Sequence, residues 1–175
     1  MRGDLEGRSE RIADAVSAMW DEVFEREGLD YDKPGVEVYS GTSDSICEGG
    51  ADQDDDFLAF YCFWEKRIYV SREGALGLSD TDWAYVVAHE VGHHVQQLRG
   101  TVGTFDGQRP AHELQADCYA GVWGAAAGLR RPSEDFFTED PDTHGTADQQ
   151  REWLLRGYES RRPAMCAAPL GSRGR

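Results

Sequence analysis

Positive charge is scarce in this sequence, and the scarcity excludes one class of partner. The 175 residues include 18 Lys and Arg against 33 Asp and Glu, which gives a formal net charge of −15 at pH 7. A protein that binds DNA or RNA needs a basic surface to neutralise phosphates, so no nucleic-acid partner is expected. An acidic surface is compatible with cationic peptides, but its simpler effect is to keep the protein soluble.

Long apolar runs are also lacking. No stretch approaches the roughly 18 apolar residues of a membrane-spanning helix. The polar segment Met1–Glu10 has no apolar core of the kind that a signal peptide needs. These absences predict no transmembrane segment in this chain and, by default, a cytoplasmic location.

Cysteine is limited to four residues, and none of them forms a C-x-x-C pair. A structural zinc site built from Cys ligands is therefore not expected. Four cysteines allow three disulfide pairings, and buried free thiols, which a reducing cytosol would favour, are a further alternative. The four residues are Cys47, Cys62, Cys118 and Cys166.

The remaining composition is sufficient for one folded domain. Hydrophobic residues make up 39% of the chain, and a chain of 175 residues most simply forms a single domain. We expect this domain to occupy residues 1–160. The Pro-, Gly- and Arg-rich segment over residues 161–175 is expected to be a mobile tail.

The N-terminal half predicts one helix and a small sheet. Apolar residues three and four apart predict a helix over Arg8–Glu27, with Ser9 as its N-cap and Gly28 as its end. Alternating residues predict three strands, of which the last two form a hairpin. The strands are Val36–Tyr39, Phe57–Trp64 and Arg67–Val70. The predicted class is α+β, with a small antiparallel sheet packed on a helical half.

An acidic loop, Ser40–Asp56, follows the first strand. Its residues Asp52, Asp54, Asp55 and Asp56 could suggest a calcium site. However, the spacing of an EF-hand, its internal Gly and its closing Glu are all absent. A solvated acidic loop is therefore the favoured interpretation.

Three helices are predicted in the C-terminal half. The first begins at the capping sequence Ser79–Asp82 and ends at Gly100. The second, Ala111–Ala127, has Pro110 in its first turn and several small residues that would let it pack closely against a neighbour. The remaining segments are a polar loop at Thr138–Gly145 and a third helix at Ala147–Ser160.

The first of these helices carries an H-E-x-x-H motif, formed by His89, Glu90 and His93. Two His four residues apart lie on one helix face, so both imidazoles can reach one metal ion. Zinc suits imidazole nitrogen, and Glu90 can reach a water on the metal without being a ligand itself. The alternative is a helix whose His and Glu side chains only face water.

A third ligand is predicted on the second helix. Glu113 and Asp117 are four residues apart and therefore share a face. A catalytic zinc commonly takes two His and one carboxylate and leaves a fourth position for water. Glu113 follows the motif at a distance that a helix, a turn and a second helix can span. An exposed acidic stripe is the alternative for this pair.

The ordered motifs closely resemble the bacterial putative neutral zinc metallopeptidase family. The motifs are His89–Gln96, then Glu113–Trp123, then the His-Gly-Thr sequence His144–Thr146. Two strands, Phe60–Cys62 and Ile68–Val70, also resemble that family. The likeness runs from roughly Ser40 to Cys166 and covers most of the chain.

This resemblance implies a zincin-like, more narrowly gluzincin-like, metalloprotease fold. It implies that Glu113 is the third zinc ligand and that Asp117 orients a ligating His; the competing assignment makes Asp117 the ligand. It implies that His144 donates a hydrogen bond to the oxyanion, and the alternative is a His on a surface loop. His94 and His112 are expected to be supporting or exposed residues.

The chain departs from the family pattern at one position. Relatives usually carry an Arg six residues after the His of the His-Gly-Thr turn, whereas this chain has Gln150 there and Arg151 next to it. One residue rotates a helical side chain by about 100°, so Arg151 is not expected to take over that role.

The resemblance also implies a pairing of the cysteines. Cys47 with Cys62, and Cys118 with Cys166, look like the disulfides of the family. If they are oxidised, the protein works outside the cytosol, and the default cytoplasmic location does not apply.

The function predicted from these features is that of a zinc-dependent metalloendopeptidase. One zinc ion per chain would activate a water, and Glu90 would act as the general base in the hydrolysis of a peptide or protein substrate. The alternative is a catalytically silent interaction module that the zinc braces.

Overall fold

The structure is a computed structural model of the chain, and it describes residues 2–41, 47, 58–101 and 109–167. These residues form four α-helices and one three-stranded sheet, which confirms the α+β class. The chain divides into two compact units, Met1–Thr104 and Phe105–Arg175. The expectation of a single domain over residues 1–160 stays a prediction.

Helix α1 spans Arg2–Glu27 and begins earlier than predicted. The prediction that Ser9 is its N-cap is wrong, because Ser9 lies buried inside the helix. Its hydroxyl donates to the carbonyl of Leu5, one turn back, and accepts a hydrogen bond from the indole nitrogen of Trp83 at 3.1 Å. A Ser whose hydroxyl bonds back to its own helix no longer marks a helix start.

The sheet contains β1 (Gly35–Tyr39), β2 (Ala59–Cys62) and β3 (Arg67–Ser71) in the order β1-β3-β2. The predicted hairpin is confirmed, because β2 and β3 pair antiparallel. The prediction of a wholly antiparallel sheet is wrong, because β1 pairs parallel with β3. β1 and β2 therefore lie at opposite edges of the sheet and run in opposite directions on either side of β3.

Helix α2 spans Asp80–Leu98 and carries the H-E-x-x-H motif. It begins as predicted, with the Ser79 hydroxyl accepting from the backbone N–H of Asp82 at 3.1 Å. It ends as predicted near Gly100, which adopts a φ of +67°. Its apolar face is fully buried in the first unit, so the motif is presented from a fixed helix. The fully buried apolar side chains are Trp83, Val87, Val91 and Val95.

In the second unit, helices α3 (Arg109–Ala126) and α4 (Ala147–Ser160) pack with their backbones in contact. A Cβ placed on Gly121 would lie 2.0 Å from the carbonyl oxygen of Leu154, and one placed on Gly157 would lie 1.9 Å from that of Cys118. The close packing predicted from small residues is therefore confirmed.

All four cysteines form disulfide bonds, Cys47 with Cys62 and Cys118 with Cys166. The pairing matches the one that the family resemblance implies, and the alternative of free thiols is wrong. None of the helices among the described residues combines the length and the apolar character that a bilayer crossing requires.

Some predictions fall wholly or partly outside the described residues. The acidic loop, with the alternative calcium site at Asp52, Asp54, Asp55 and Asp56, is one of them. The predicted tail, residues 161–175, contains a 3-10 turn at Pro163–Cys166. Residues 168–175 are not among the described residues.

Candidate metal centre

Helix α2 presents His89 and His93 side by side on one face. The centroids of their rings are 4.7 Å apart, with an interplanar angle of 85°. A nitrogen of the His89 ring lies within 4.8 Å of a nitrogen of the His93 ring. Both residues are partly exposed, unlike the apolar face of the same helix. Two imidazole nitrogens at this separation are a donor pair that suits zinc.

The ring of His93 contacts a residue that is not part of the H-E-x-x-H motif. Nδ1 of His93 lies 2.9 Å from Oε1 of Gln96, which follows one turn later on α2. Gln96 is 1% exposed. Because this hydrogen bond occupies Nδ1, Nε2 is the nitrogen of His93 that a metal can use.

Glu90 lies between the two His in the sequence and is buried, with 7% exposure. A carboxylate is rarely buried without a specific partner or task. Its position next to His89 on α2 is the one that the motif predicts for a general base.

His94, the residue after His93, makes its contacts within the first unit. Its Nε2–H donates to the backbone carbonyl of Asp32, and its Nδ1 lies 2.7 Å from the hydroxyl of Tyr61. Burial lowers the pKa of His94, and the hydrogen bond to Asp32 only partly opposes this effect. Both nitrogens are therefore engaged by the protein.

In the second unit, helix α3 carries Glu113 and Asp117 one turn apart. Asp117 is buried, whereas the side chain of Glu113 retains 21% exposure. The structure brings His144 to this helix, with its Nε2 3.7 Å from Oε2 of Glu113. Glu113, one of the predicted site residues of this unit, therefore faces His144.

The other side of the His144 ring contacts Asp140, which sequence reasoning missed. Nδ1 of His144 lies 2.8 Å from Oδ2 of Asp140. Hydrogen bonds from the Thr143 hydroxyl and from His144 hold the pKa of the Asp140 carboxyl below its usual value. The spacing of four residues between Asp140 and His144 is the only signal in the sequence that could have suggested this pair.

Gln150 fixes the loop that bears His144. Its side-chain amide donates to the carbonyls of Thr138, at 2.6 Å, and of Gly145, at 3.0 Å. Its Oε1 accepts from the backbone N–H of Thr138 at 3.3 Å. The residue that departs from the family pattern is therefore buried and braces both ends of the loop.

The neighbouring Arg151 is engaged elsewhere in the second unit. Its guanidinium forms ion pairs with Glu134 at 2.8 Å and with Asp148 at 2.6 Å, and it lies over the ring of Phe137. These contacts hold Arg151 to its own helix and to the segment that precedes the His144 loop.

Comparison with known families gives one match that covers most of the chain. The sequence model of the family described as putative neutral zinc metallopeptidase matches residues 4–133. No solved structure matches the chain. The zincin-like and gluzincin-like assignment of the fold therefore stays a prediction.

Individual relatives are uncharacterized proteins of bacteria. The chain is 32% identical to YpfJ of Escherichia coli (strain K12), across 84% of this chain and 65% of that protein. It is 29% identical to Mb2605 of Mycobacterium bovis and to Rv2575 of Mycobacterium tuberculosis, across 90% of this chain and 69% of each of them. The chain thus spans about two thirds of the length of these relatives.

Proposed function

Because the chain belongs to the putative neutral zinc metallopeptidase family, we propose that it is a zinc-dependent endopeptidase that hydrolyses peptide bonds. The observation that carries the proposal is the pair of imidazoles on α2, with the buried Glu90 between them in the sequence. A helix that only needed solubility would not combine two adjacent imidazoles with a buried carboxylate. The proposed substrate is a peptide or protein.

The residues that would hold the zinc are His89, His93 and Glu113. Catalytic zinc sites commonly use two His and one carboxylate, and this donor set matches that pattern. Glu113 is favoured over Asp117 because its carboxylate is the more accessible of the two and faces His144. When bound, zinc supplies a Lewis acid that polarises the substrate carbonyl and lowers the pKa of a water toward about 7.

Two side chains of the protein would handle protons and charge during hydrolysis. Glu90 accepts a proton from the attacking water and later gives it to the leaving amine. His144, whose Nδ1 contacts Asp140, would donate a hydrogen bond from Nε2 to the carbonyl oxygen as negative charge develops there. Asp140 and Gln150 keep the ring and its loop in place.

The proposed location is outside the reducing cytosol, because two disulfides persist only where the surroundings are oxidising. The cytoplasmic default, which rested on absent sequence signals, is accordingly not proposed.

The experiment that tests the function compares wild-type protein with Glu90→Gln and Glu113→Ala. Wild type is expected to bind one zinc per chain and to cleave a peptide library. Glu90→Gln should keep the zinc and lose activity by about 100- to 10,000-fold, because the general base is removed and no ligand changes. Glu113→Ala should lose zinc, as measured by elemental analysis after dialysis.

A matched control is Asp117→Ala, which removes the other carboxylate on the same face of α3. Loss of zinc in Asp117→Ala but not in Glu113→Ala would reverse the assignment of the third ligand. Zinc binding without cleavage, identical in wild type and Glu90→Gln, would replace the endopeptidase by a zinc-braced interaction module.

A further inference from the structure

Gln96 is one of the few polar side chains that the first unit buries almost completely, at 1% exposure. Burying an amide is costly unless its polar atoms are hydrogen bonded. Its side-chain oxygen lies 2.9 Å from Nδ1 of His93. The polar contact therefore joins a buried amide to one of the two imidazoles of the candidate metal centre.

The backbone of Gln96 is fixed independently of this contact. Its carbonyl, in the last turn of α2, accepts from the backbone N–H of Thr101 at 3.0 Å and from the Thr101 hydroxyl at 2.9 Å. Carbonyls in the last turn of a helix lack a partner within the helix, and here Thr101 supplies two. The amide that contacts His93 therefore belongs to a residue whose backbone carbonyl accepts two hydrogen bonds from Thr101.

The chemistry of imidazole gives this contact a direction. A neutral imidazole has one N–H and one lone pair, and a side-chain amide oxygen can only accept a hydrogen bond. The contact with Gln96 therefore places the proton of His93 on Nδ1 and leaves the lone pair on Nε2.

We propose that Gln96 is a positioning residue for the metal centre: it accepts the Nδ1–H of His93 and so holds Nε2 ready to bind zinc. This role rests on the proposed function. Partners that fix the other nitrogen of a ligating His orient the ring and raise its basicity, and their loss weakens metal binding.

The next residue, Gln97, provides a matched control on the same helix. Its Oε1 faces the hydroxyl of Tyr61, and its amide donates to the carbonyl of Phe63 at 3.0 Å. These contacts tie α2 to β2 and to the turn that follows it. Replacing Gln97 therefore removes a partly exposed amide of equal size, whose described contacts do not involve His93.

The first measurement is the zinc dissociation constant of wild type, Gln96→Leu and Gln97→Leu, by competition with a chromogenic chelator. Gln96→Leu is expected to bind zinc about 10- to 100-fold more weakly than wild type, and Gln97→Leu within about twofold of it. Equal affinities in Gln96→Leu and wild type would overturn the role of Gln96 alone. A wild-type protein that binds no zinc would overturn the proposed function as well.

A second variant and a second readout cover the case in which Gln96→Leu fails to fold. Gln96→Glu keeps the size and the acceptor, so it should bind zinc at least as tightly as wild type. In the zinc-loaded wild type, nitrogen NMR of labelled His should find the proton of His93 on Nδ1. A metal bound at Nδ1, or weaker binding by Gln96→Glu than by wild type, would contradict the proposal.

Discussion

His94 follows a proposed zinc ligand in the sequence, but the described contacts of its ring are with other residues of the first unit. Its ring is completely buried, packs edge-on against Tyr31 and Tyr61, and donates a hydrogen bond to the carbonyl of Asp32. Burial lowers its pKa from the usual value near 6.5, because a charged imidazole would lose its hydration. His94 is therefore neutral in the folded protein at neutral pH.

This depression of the pKa predicts a loss of stability in mild acid. Below about pH 6.5 the unfolded chain binds a proton at His94 that the folded protein does not bind, so the free energy of unfolding falls as pH falls. The expected contribution is at most about 1.4 kcal/mol per pH unit, and it ends once the pH passes below the folded pKa. Urea denaturation of the metal-free protein between pH 7.5 and 5.5 measures it.

The control for this measurement is the variant His94→Gln, which keeps hydrogen-bonding groups but cannot take up a proton. Its free energy of unfolding should be lower than that of wild type at pH 7.5. That free energy should also change less with pH, because the variant lacks the one proton that wild type takes up at His94 on unfolding. Parallel curves for the two proteins would mean that His94 is not the titrating group.

Asp140 is a second residue whose effect is exerted through another side chain. Its carboxylate accepts from the Thr143 hydroxyl and lies 2.8 Å from Nδ1 of His144. We predict that Asp140→Asn lowers kcat by about 10- to 100-fold, because the ring of His144 loses its orientation, while zinc content stays unchanged. Steady-state peptide cleavage and elemental analysis measure the two quantities.

The comparison variant is Asp142→Asn, which removes a carboxylate from the same loop at an exposed position. It should leave kcat near the wild-type value, which separates the effect of orientation from that of loop charge. A similar loss of kcat in both variants would assign the effect to charge and not to the contact with His144.

At the scale of elements, the segments that could be predicted are those whose signals are local. Helix α4 has the predicted bounds, because Thr146 and Gln149 form a capping box at its start. The hairpin of β2 and β3 was also predicted, because alternation and a short turn lie within one stretch of sequence.

The elements that were predicted wrongly depend on distant partners. The direction of β1 is set by its pairing with β3, and alternation of residues carries no information on that choice. Ser9 resembles an N-cap in sequence, but its role is decided by Trp83, which lies on another helix.

The close contact between α3 and α4 predicts that a side chain at Gly121 destabilises the second unit. Gly121→Ala would place a Cβ 2.0 Å from the carbonyl oxygen of Leu154, and a backbone atom cannot move aside as a side chain can. The free energy of unfolding should fall by about 1–3 kcal/mol, the usual cost of overpacking, as measured by urea denaturation. The helices would have to separate to relieve the contact.

Gly7→Ala on α1 is the matched substitution, because the atom nearest its Cβ is the flexible end of Arg11, at 3.2 Å. There the better helix propensity of Ala should leave stability unchanged or raise it by up to about 1 kcal/mol. Equal effects at both positions would mean that the helices are not in backbone contact at Gly121.

At the scale of the whole molecule, the strongest sequence signal for the candidate site comes from residues that share one helix. His89, Glu90 and His93 follow from a single motif, since helical geometry fixes their relation. The contact between His144 and Glu113 joins a loop to a helix that precedes it by about thirty residues, and periodicity carries no information on such contacts. The sequence pattern alone suggested a ligand role for Glu113, whereas only the family resemblance suggested a role for His144.

Each of the two disulfides lies within one unit. The sequence separation of its cysteines predicts how much each disulfide adds to the free energy of unfolding. Cys118–Cys166 closes a separation of 48 residues and Cys47–Cys62 one of 15. In the loop-entropy account, these closures stabilise by about 4 and about 3 kcal/mol, because each restricts the unfolded chain. The double variants Cys118→Ser/Cys166→Ser and Cys47→Ser/Cys62→Ser should be destabilised by these amounts in urea.

The same bonds make the proposed location testable on the freshly isolated protein. Alkylation before reduction should label none of the cysteines, and alkylation after reduction should label all four. Because a reducing cytosol keeps thiols free, labelling of all four before reduction would contradict both the oxidised state and the location outside the cytosol. Labelling of one pair alone would identify the disulfide that reductants can reach, and the corresponding double variant should then lose the least stability under the conditions of isolation.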